Sequence, residues 1–102
     1  MTYKDLLISL TYKKVFVRNK QINRSLQEYK LLLYLLENKG RELTYRAISK
    51  EVWGDEYEHL PKDVVRNAVT RLRVKLGDTR DGTKYIATVK EVGYMVPFDH
   101  DI

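Results

Sequence analysis

Apolar residues recur at helical spacing in the stretch from Pro61 to Gly77, where Val65, Val69, Leu72 and Leu76 fall at i, i+4, i+7 and i+11. At about 100° per residue the opposite face carries Asp63, Asn67, Thr70 and Val74, with Arg66 and Arg71 beside it and Arg73 and Lys75 nearer the stripe. Pro61 suits a first helical position and Gly77 a C-terminal cap. The pattern predicts a helix buried on one side that offers Asn, Thr and Arg on the other. Those groups match base edges and phosphates, and equally the solvated face of an ordinary amphipathic helix.

Upstream, residues 3–24 read as a small antiparallel meander, with β-prone pieces at 6–10, 14–18 and 21–23 and turns at 12–14 and 19–20. The faces of Leu6-Leu7-Ile8 are left open because this run does not alternate. Ser25-Leu26-Gln27-Glu28 is a capping-box pattern that starts a first helix, apolar nearly all round through Leu36 and expected to be the most buried. Asn38-Lys39-Gly40 ends it, with Gly40 expected as a left-handed cap. Glu42-Leu43 suits one short strand, and Thr44 should cap a second helix over 45–52 with Ala47, Ile48 and Val52 inward. Trp53-Gly54 stops it and 55–60 is a loop. After the Pro61–Gly77 helix, 78–83 is a turn, 85–89 a strand, 90–93 a hairpin tip and 94–96 the return strand; Pro97 ends it and 98–102 is a frayed tail.

The chain of 102 residues fits one domain, 1–102, divided into a β-meander (3–24), three helices (25–77), a hairpin (84–97) and the tail. Its hydrophobic content of 43% is that of a globular protein. No run of 18 apolar residues and no signal-peptide pattern is present, so this segment is expected to be neither membrane-spanning nor secreted. The lack of cysteine excludes disulfides and thiolate chemistry and suits a cytoplasmic protein. Net charge is +5, and residues 60–90 hold eight Lys/Arg against three Asp, which accounts for the whole excess. A basic surface of this kind favours a polyanion. Lys62, Arg66, Arg73, Lys75 and Lys90 are the candidate phosphate neighbours. The acidic run Asp55-Glu56-Tyr57-Glu58 reads as a solvated loop or a protein-docking loop.

Three helices followed by a hairpin form a winged helix-turn-helix, an α+β fold, here preceded by an antiparallel β-meander. At this point the chain resembles the OmpR/PhoB-type winged-helix DNA-binding (effector) domain of two-component response regulators. The resemblance runs from about Asp5 to Val96. It rests on Glu28-Tyr29-Lys30-Leu31-Leu32, on Val52-Trp53-Gly54, on Arg71-Leu72-Arg73-Val74-Lys75-Leu76 and on the run from Tyr85 to Tyr94.

The resemblance implies a four-stranded N-terminal sheet, a third helix in the major groove and a wing at the minor groove. By position it implies base reading by Asn67, Thr70 and Arg71. Backbone contact would fall on Arg73 and the Trp53-Gly54 region, and wing contact on Thr88 and Lys90. Trp53 also reads as a core plug at the end of the second helix. The resemblance further implies double-stranded DNA as partner, RNA polymerase or a neighbouring subunit at the loop of Asp55, Glu56, Tyr57 and Glu58, and a weak head-to-tail dimer on DNA. A receiver domain and phosphorelay signal transduction would belong to the full-length protein. Four features depart from the family pattern: Arg24-Ser25 before the first helix, Arg66 and Asn67-Ala68 in the third, Lys90-Glu91 in the wing, and no receiver within these residues.

Other classes fit less well. His59 and His100 sit far apart in ordinary loop sequence, and no metal spacing, nucleophile with its base, or phosphate-cradling glycine loop occurs. No enzyme activity, catalytic residue, metal or cofactor is therefore expected. A winged-helix protein-interaction module and the cytoplasmic DNA-binding domain of a membrane-tethered regulator are the alternatives. RNA reading would call for exposed aromatic platforms, whereas Tyr29, Tyr34, Tyr45, Tyr85 and Tyr94 fit core or edge positions.

Overall fold

The computed structural model describes residues 1–78 and 84–98. The chain opens with a meander of β1 (Thr2–Tyr3), β2 (Leu6–Ser9), β3 (Lys14–Val17) and β4 (Lys20–Gln21), antiparallel in the order β1-β2-β3-β4. Register resolves the faces of the Leu6-Leu7-Ile8 run. Leu6 lies opposite Val17 and Ile8 opposite Val15, and all four point inward, while Leu7 pairs with Phe16 on the outer face. The β3–β4 turn places Arg18 and Asn19 at φ 49° and 66°, the left-handed pair whose twist suits a two-residue hairpin. Strand β4 therefore begins at Lys20, one residue before the expected 21–23 piece.

Helix α1 (Leu26–Glu37) starts on the expected capping box: the Glu28 amide donates to Ser25 Oγ at 3.1 Å and the Ser25 amide to Glu28 Oε1 at 2.7 Å. It buries Leu31, Leu32, Leu35 and Leu36 at the centre of the molecule. Its cap is Asn38 rather than Gly40. Gly40, at φ 81°, instead turns the chain so that its amide donates to the Val96 carbonyl at 2.7 Å.

Strand β5 (Leu43–Thr44) leads directly into α2 (Tyr45–Trp53), where Thr44 Oγ1 accepts from the Ala47 amide at 3.0 Å. Ile48 and Val52 face inward as expected; Ala47 is half-buried, and Ser49 lies deeper. A 3₁₀ turn at Asp55–Tyr57 occupies part of the expected loop. Helix α3 (Lys62–Leu76) buries the whole predicted stripe of Val65, Val69, Leu72 and Leu76, widened by Ala68 and Arg73. Pro61 is its N-cap rather than its first turn, and Gly77 closes it at φ 73°.

The hairpin is shorter than the sequence suggests. Strands β6 (Ala87–Val89) and β7 (Gly93–Met95) pair with each other, and β7 also pairs with β5, giving the order β5-β7-β6. Tyr85 and Ile86 are buried but outside β6. The Asp78 carboxylate accepts their amides at 3.0 and 3.1 Å, and the Lys84 amide at 2.9 Å, so these donors are taken before any ladder can form. The expected 78–83 turn and the tail fall mostly on residues 79–83 and 99–102, outside the described residues. One hydrophobic cluster joins meander, helices and hairpin. The Tyr85 hydroxyl donates to Asp5, and this bond, ahead of the charges of Lys84 and Arg18, holds the Asp5 carboxyl below its ordinary value.

Candidate nucleic-acid interface

Helix α3 presents Lys62, Asp63, Arg66, Asn67, Thr70, Arg71 and Val74 to solvent, because its other side is committed to α1 and α2. The side chains of Asn67 and Arg71 are exposed and make no hydrogen bond or ion pair with the described residues, so their amide and guanidinium can be engaged without breaking a contact among those residues. The Thr70 hydroxyl donates back to the Arg66 carbonyl at 2.9 Å, which leaves its methyl group and oxygen lone pairs facing out. Arg66 Nη1 donates to Asp63 Oδ1 at 2.7 Å, one turn earlier. A surface pair of this kind contributes little and exchanges easily for a phosphate.

Between α3 and the hairpin lies a cleft of about 770 Å³. Lys62 and Arg66 line it from the helix, and Thr88, Lys90 and Glu91 from the hairpin. Its floor holds Tyr45 and Tyr94, edge to face with centroids 5.6 Å apart, and the Lys62 ammonium sits 5.4 Å above the Tyr45 ring. Burial, with Tyr45 next, pushes the Tyr94 phenol up to about 12, so it stays neutral beside the cations. Nothing in either residue's local sequence marks this aromatic floor; β5–β7 pairing creates it.

Two expected phosphate neighbours are placed otherwise. Arg73 is 7% exposed; its Nη2 donates to the Ile86 carbonyl at 2.7 Å and to Thr88 Oγ1 at 2.9 Å, and its guanidinium lies 5.4 Å from the Tyr94 ring centroid. It is a latch between α3 and the hairpin. Thr88, expected at the wing surface, is exposed but holds the other end of that latch. Lys75 Nζ donates to Glu28 Oε1 at 2.6 Å, tying α3 to the start of α1. Burial alone would raise the Glu28 carboxyl, but Lys75 and Ser25 outweigh it and hold the group below its ordinary value. Trp53 is half-buried against the core, as the plug reading expects. Of the remaining candidates, Lys62, Arg66 and Lys90 share the cleft.

Replacing Arg73 by Met keeps most of the stem and removes every donor. We expect a loss of about 1–3 kcal/mol, because two acceptors and the ring face lose their partner. Lys should rescue only in part, since one ammonium cannot reproduce the fork. Denaturant unfolding, with hydrogen exchange at β6 and β7, reads both effects; unchanged stability with reduced polyanion binding would return Arg73 to the phosphate role.

In the acidic loop Asp55, Glu56 and Tyr57 project into solvent, whereas Glu58 is half-buried and paired with Arg46 at 3.2 Å and His59 at 3.4 Å. Among the described residues no helix is long and apolar enough to cross a membrane, and no three His, Cys, Asp or Glu side chains gather as a metal site.

Residues 19–96 match the family described as the C-terminal domain of transcriptional regulatory proteins. The chain belongs to this family. It is an OmpR/PhoB-type effector domain, from a family of transcription regulators rather than enzymes. The regulatory protein VanR of Enterococcus faecium is 32% identical over 96 residues, which are 94% of this chain and 42% of VanR. The response regulator DrrB of Thermotoga maritima, an OmpR/PhoB homologue, superposes with a TM-score of 0.84 at 31% identity, over 96% of this chain and 44% of DrrB. The RstA DNA-binding domain of Klebsiella pneumoniae, solved in complex with the RstA box, gives 0.85 at 25% identity over 95% of each chain. The chain thus spans about two fifths of the length of VanR and DrrB and nearly all of the isolated RstA domain.

Proposed function

We propose that this chain binds double-stranded DNA sequence-specifically, as the output domain of a bacterial response-regulator transcription factor. Helix α3 lies in the major groove with Asn67, Thr70 and Arg71 toward base edges. Lys62, Arg66 and Lys90 meet phosphates, and the wing lies at the minor groove. The observation that carries this reading is the row of exposed polar side chains on α3 beside a cation-lined cleft whose far wall is the wing. The RstA neighbour, solved on its own DNA box, supports it. In the full-length protein a receiver domain controls this unit by phosphorelay, and the protein works in the cytoplasm. Asp55, Glu56 and Tyr57 form the docking face for RNA polymerase, with Glu58 holding the loop through Arg46. Two copies bind head to tail on DNA, a heterologous contact that forms weakly without it.

Asn67 and Arg71 are four residues apart and lie one turn apart on α3, so they reach adjacent base pairs. Asn favours adenine N6/N7 and Arg favours guanine O6/N7, each through two hydrogen bonds. Asn67→Ala and Arg71→Ala should each cost about 1–3 kcal/mol on the preferred site and relax selection at one position. Lys90→Ala should weaken all duplexes by a smaller, uniform factor. Selection from randomised duplexes with each variant tests this. Unchanged preferences for both α3 variants, with altered preferences for Lys90→Ala, would move sequence reading to the wing.

A further inference from the structure

The wing turn contains a residue that base reading and phosphate binding both leave unexplained. Between Val89 and Gly93, residues 90–92 form a loop in which the Val92 amide donates to the Val89 carbonyl at 2.9 Å. Within that turn Glu91 sits at φ 65°, a left-handed conformation that Gly adopts freely and a Glu adopts only under strain. Its carboxylate is exposed and makes no ion pair or hydrogen bond with the described residues. It stands on the rim of the cleft, next to Lys90 and across from Lys62 and Arg66. Asp78, the other acid of that cleft, is occupied by three backbone amides. Glu91 is therefore the cleft's free negative charge among the described residues, held at the wing tip by a strained backbone. Lys4, Lys13, Arg18 and Asn19 adopt the same conformation elsewhere in the chain, so the φ fixes where the carboxylate stands, and its free charge on the cleft rim is what calls for a role.

We propose that Glu91 is an electrostatic brake on backbone binding by the wing. This rests on the DNA-binding reading above and assigns the wing tip a different part in it. The carboxylate opposes the attraction of Lys90 for phosphate, so the wing adds little net affinity for arbitrary duplexes. Retention on DNA then depends on the base contacts of α3. The repulsion is sequence-independent and acts within a Debye length, so it scales all duplexes alike and fades with salt.

The test compares the parent with Glu91→Gln and Glu91→Gly on a labelled duplex of random sequence, and on the duplex preferred by the parent, across a salt series. Glu91→Gln should bind both duplexes more tightly by the same factor, about three- to tenfold at 0.1 M salt, with the gain shrinking as salt rises. Glu91→Gly should share that gain and also melt higher, because it alone relieves the left-handed strain. Glu51→Gln is the net-charge control: Glu51 is exposed on α2 and does not line the cleft, and its removal should change binding much less. The brake is overturned if Glu91→Gln binds no more tightly than the parent, or if Glu51→Gln matches its gain. If parent and Glu91→Gln both ignore duplex DNA at the lowest salt, the DNA-binding reading falls and the brake falls with it.

Discussion

Leu72→Ala should lower the unfolding free energy by about 2–5 kcal/mol, in the upper half of that range, while leaving the chemistry of the exposed α3 face unaltered. Leu72 is 1% exposed and lies between Val69 and Leu76, both 0% exposed, on the side of α3 that faces α1 and α2. Truncation removes the transfer free energy of the lost methyl and methylene groups and leaves a cavity. Three helices meet at this point, so the walls cannot close in without moving an entire element. A domain of this size holds a reserve of only about 5–15 kcal/mol, so the loss takes a large share of it. Thermal or denaturant unfolding measures the effect. Leu72→Met, which nearly conserves volume, should lose less than about 1.5 kcal/mol and serves as the comparison. A Leu72→Ala protein that melts like the parent yet no longer binds duplex DNA would mean that the buried and reading faces of α3 have been interchanged.

The parts of this fold that could be read from the sequence are those fixed by neighbours within one helical turn. The Ser25–Glu28 capping box, the Thr44 cap, the left-handed Gly77 and the Val65-Val69-Leu72-Leu76 stripe all follow from spacings of three and four residues. The exposure of Asn67 and Arg71 was legible for the same reason, since both lie on the side of α3 away from that stripe. What local pattern did not supply was set by partners far along the chain. The inward face of Leu6-Leu7-Ile8 is decided by pairing with Val15 and Val17. Arg73, at the edge of the stripe, looks like any cation on an amphipathic helix until the hairpin brings in the Ile86 carbonyl and Thr88. Lys75 finds Glu28 47 residues away. Tyr85 and Ile86 carry strand-forming side chains, yet Asp78 takes their amides first. A long charged side chain can reach either solvent or a tertiary acceptor, and its own neighbours do not say which.

Gly93→Ala is expected to unseat the wing. Gly93 opens β7 and sits opposite Thr44 in β5, with Tyr94 opposite Leu43. A Cβ at Gly93 would lie 1.9 Å from the Leu43 carbonyl oxygen, 2.9 Å from its carbonyl carbon and 3.1 Å from that of Thr44. All three are backbone atoms, so no side-chain rotation relieves the overlap. Nor can that backbone retreat: Leu43 is 7% exposed and packed into the core, while Thr44 caps α2. The Tyr45 amide also donates to the Val92 carbonyl at 3.2 Å, holding the two segments together just beyond the clash. Overpacking costs about 1–3 kcal/mol where side chains can adjust, and a clash confined to backbone should cost about 3 kcal/mol or more. The least costly relief is for β7 to lift from β5, which carries β6, Lys90 and Glu91 away from α3 and loosens the Arg73 latch. Hydrogen exchange should therefore rise first at β6 and β7, even where α1 to α3 remain folded. Gly77→Ala is the contrasting case: at φ 73° with open space around it, it should lose only about 1 kcal/mol of conformational preference and leave the wing in place. Equal stability of Gly93→Ala and the parent would show that β5 and β7 do not pack this closely in solution.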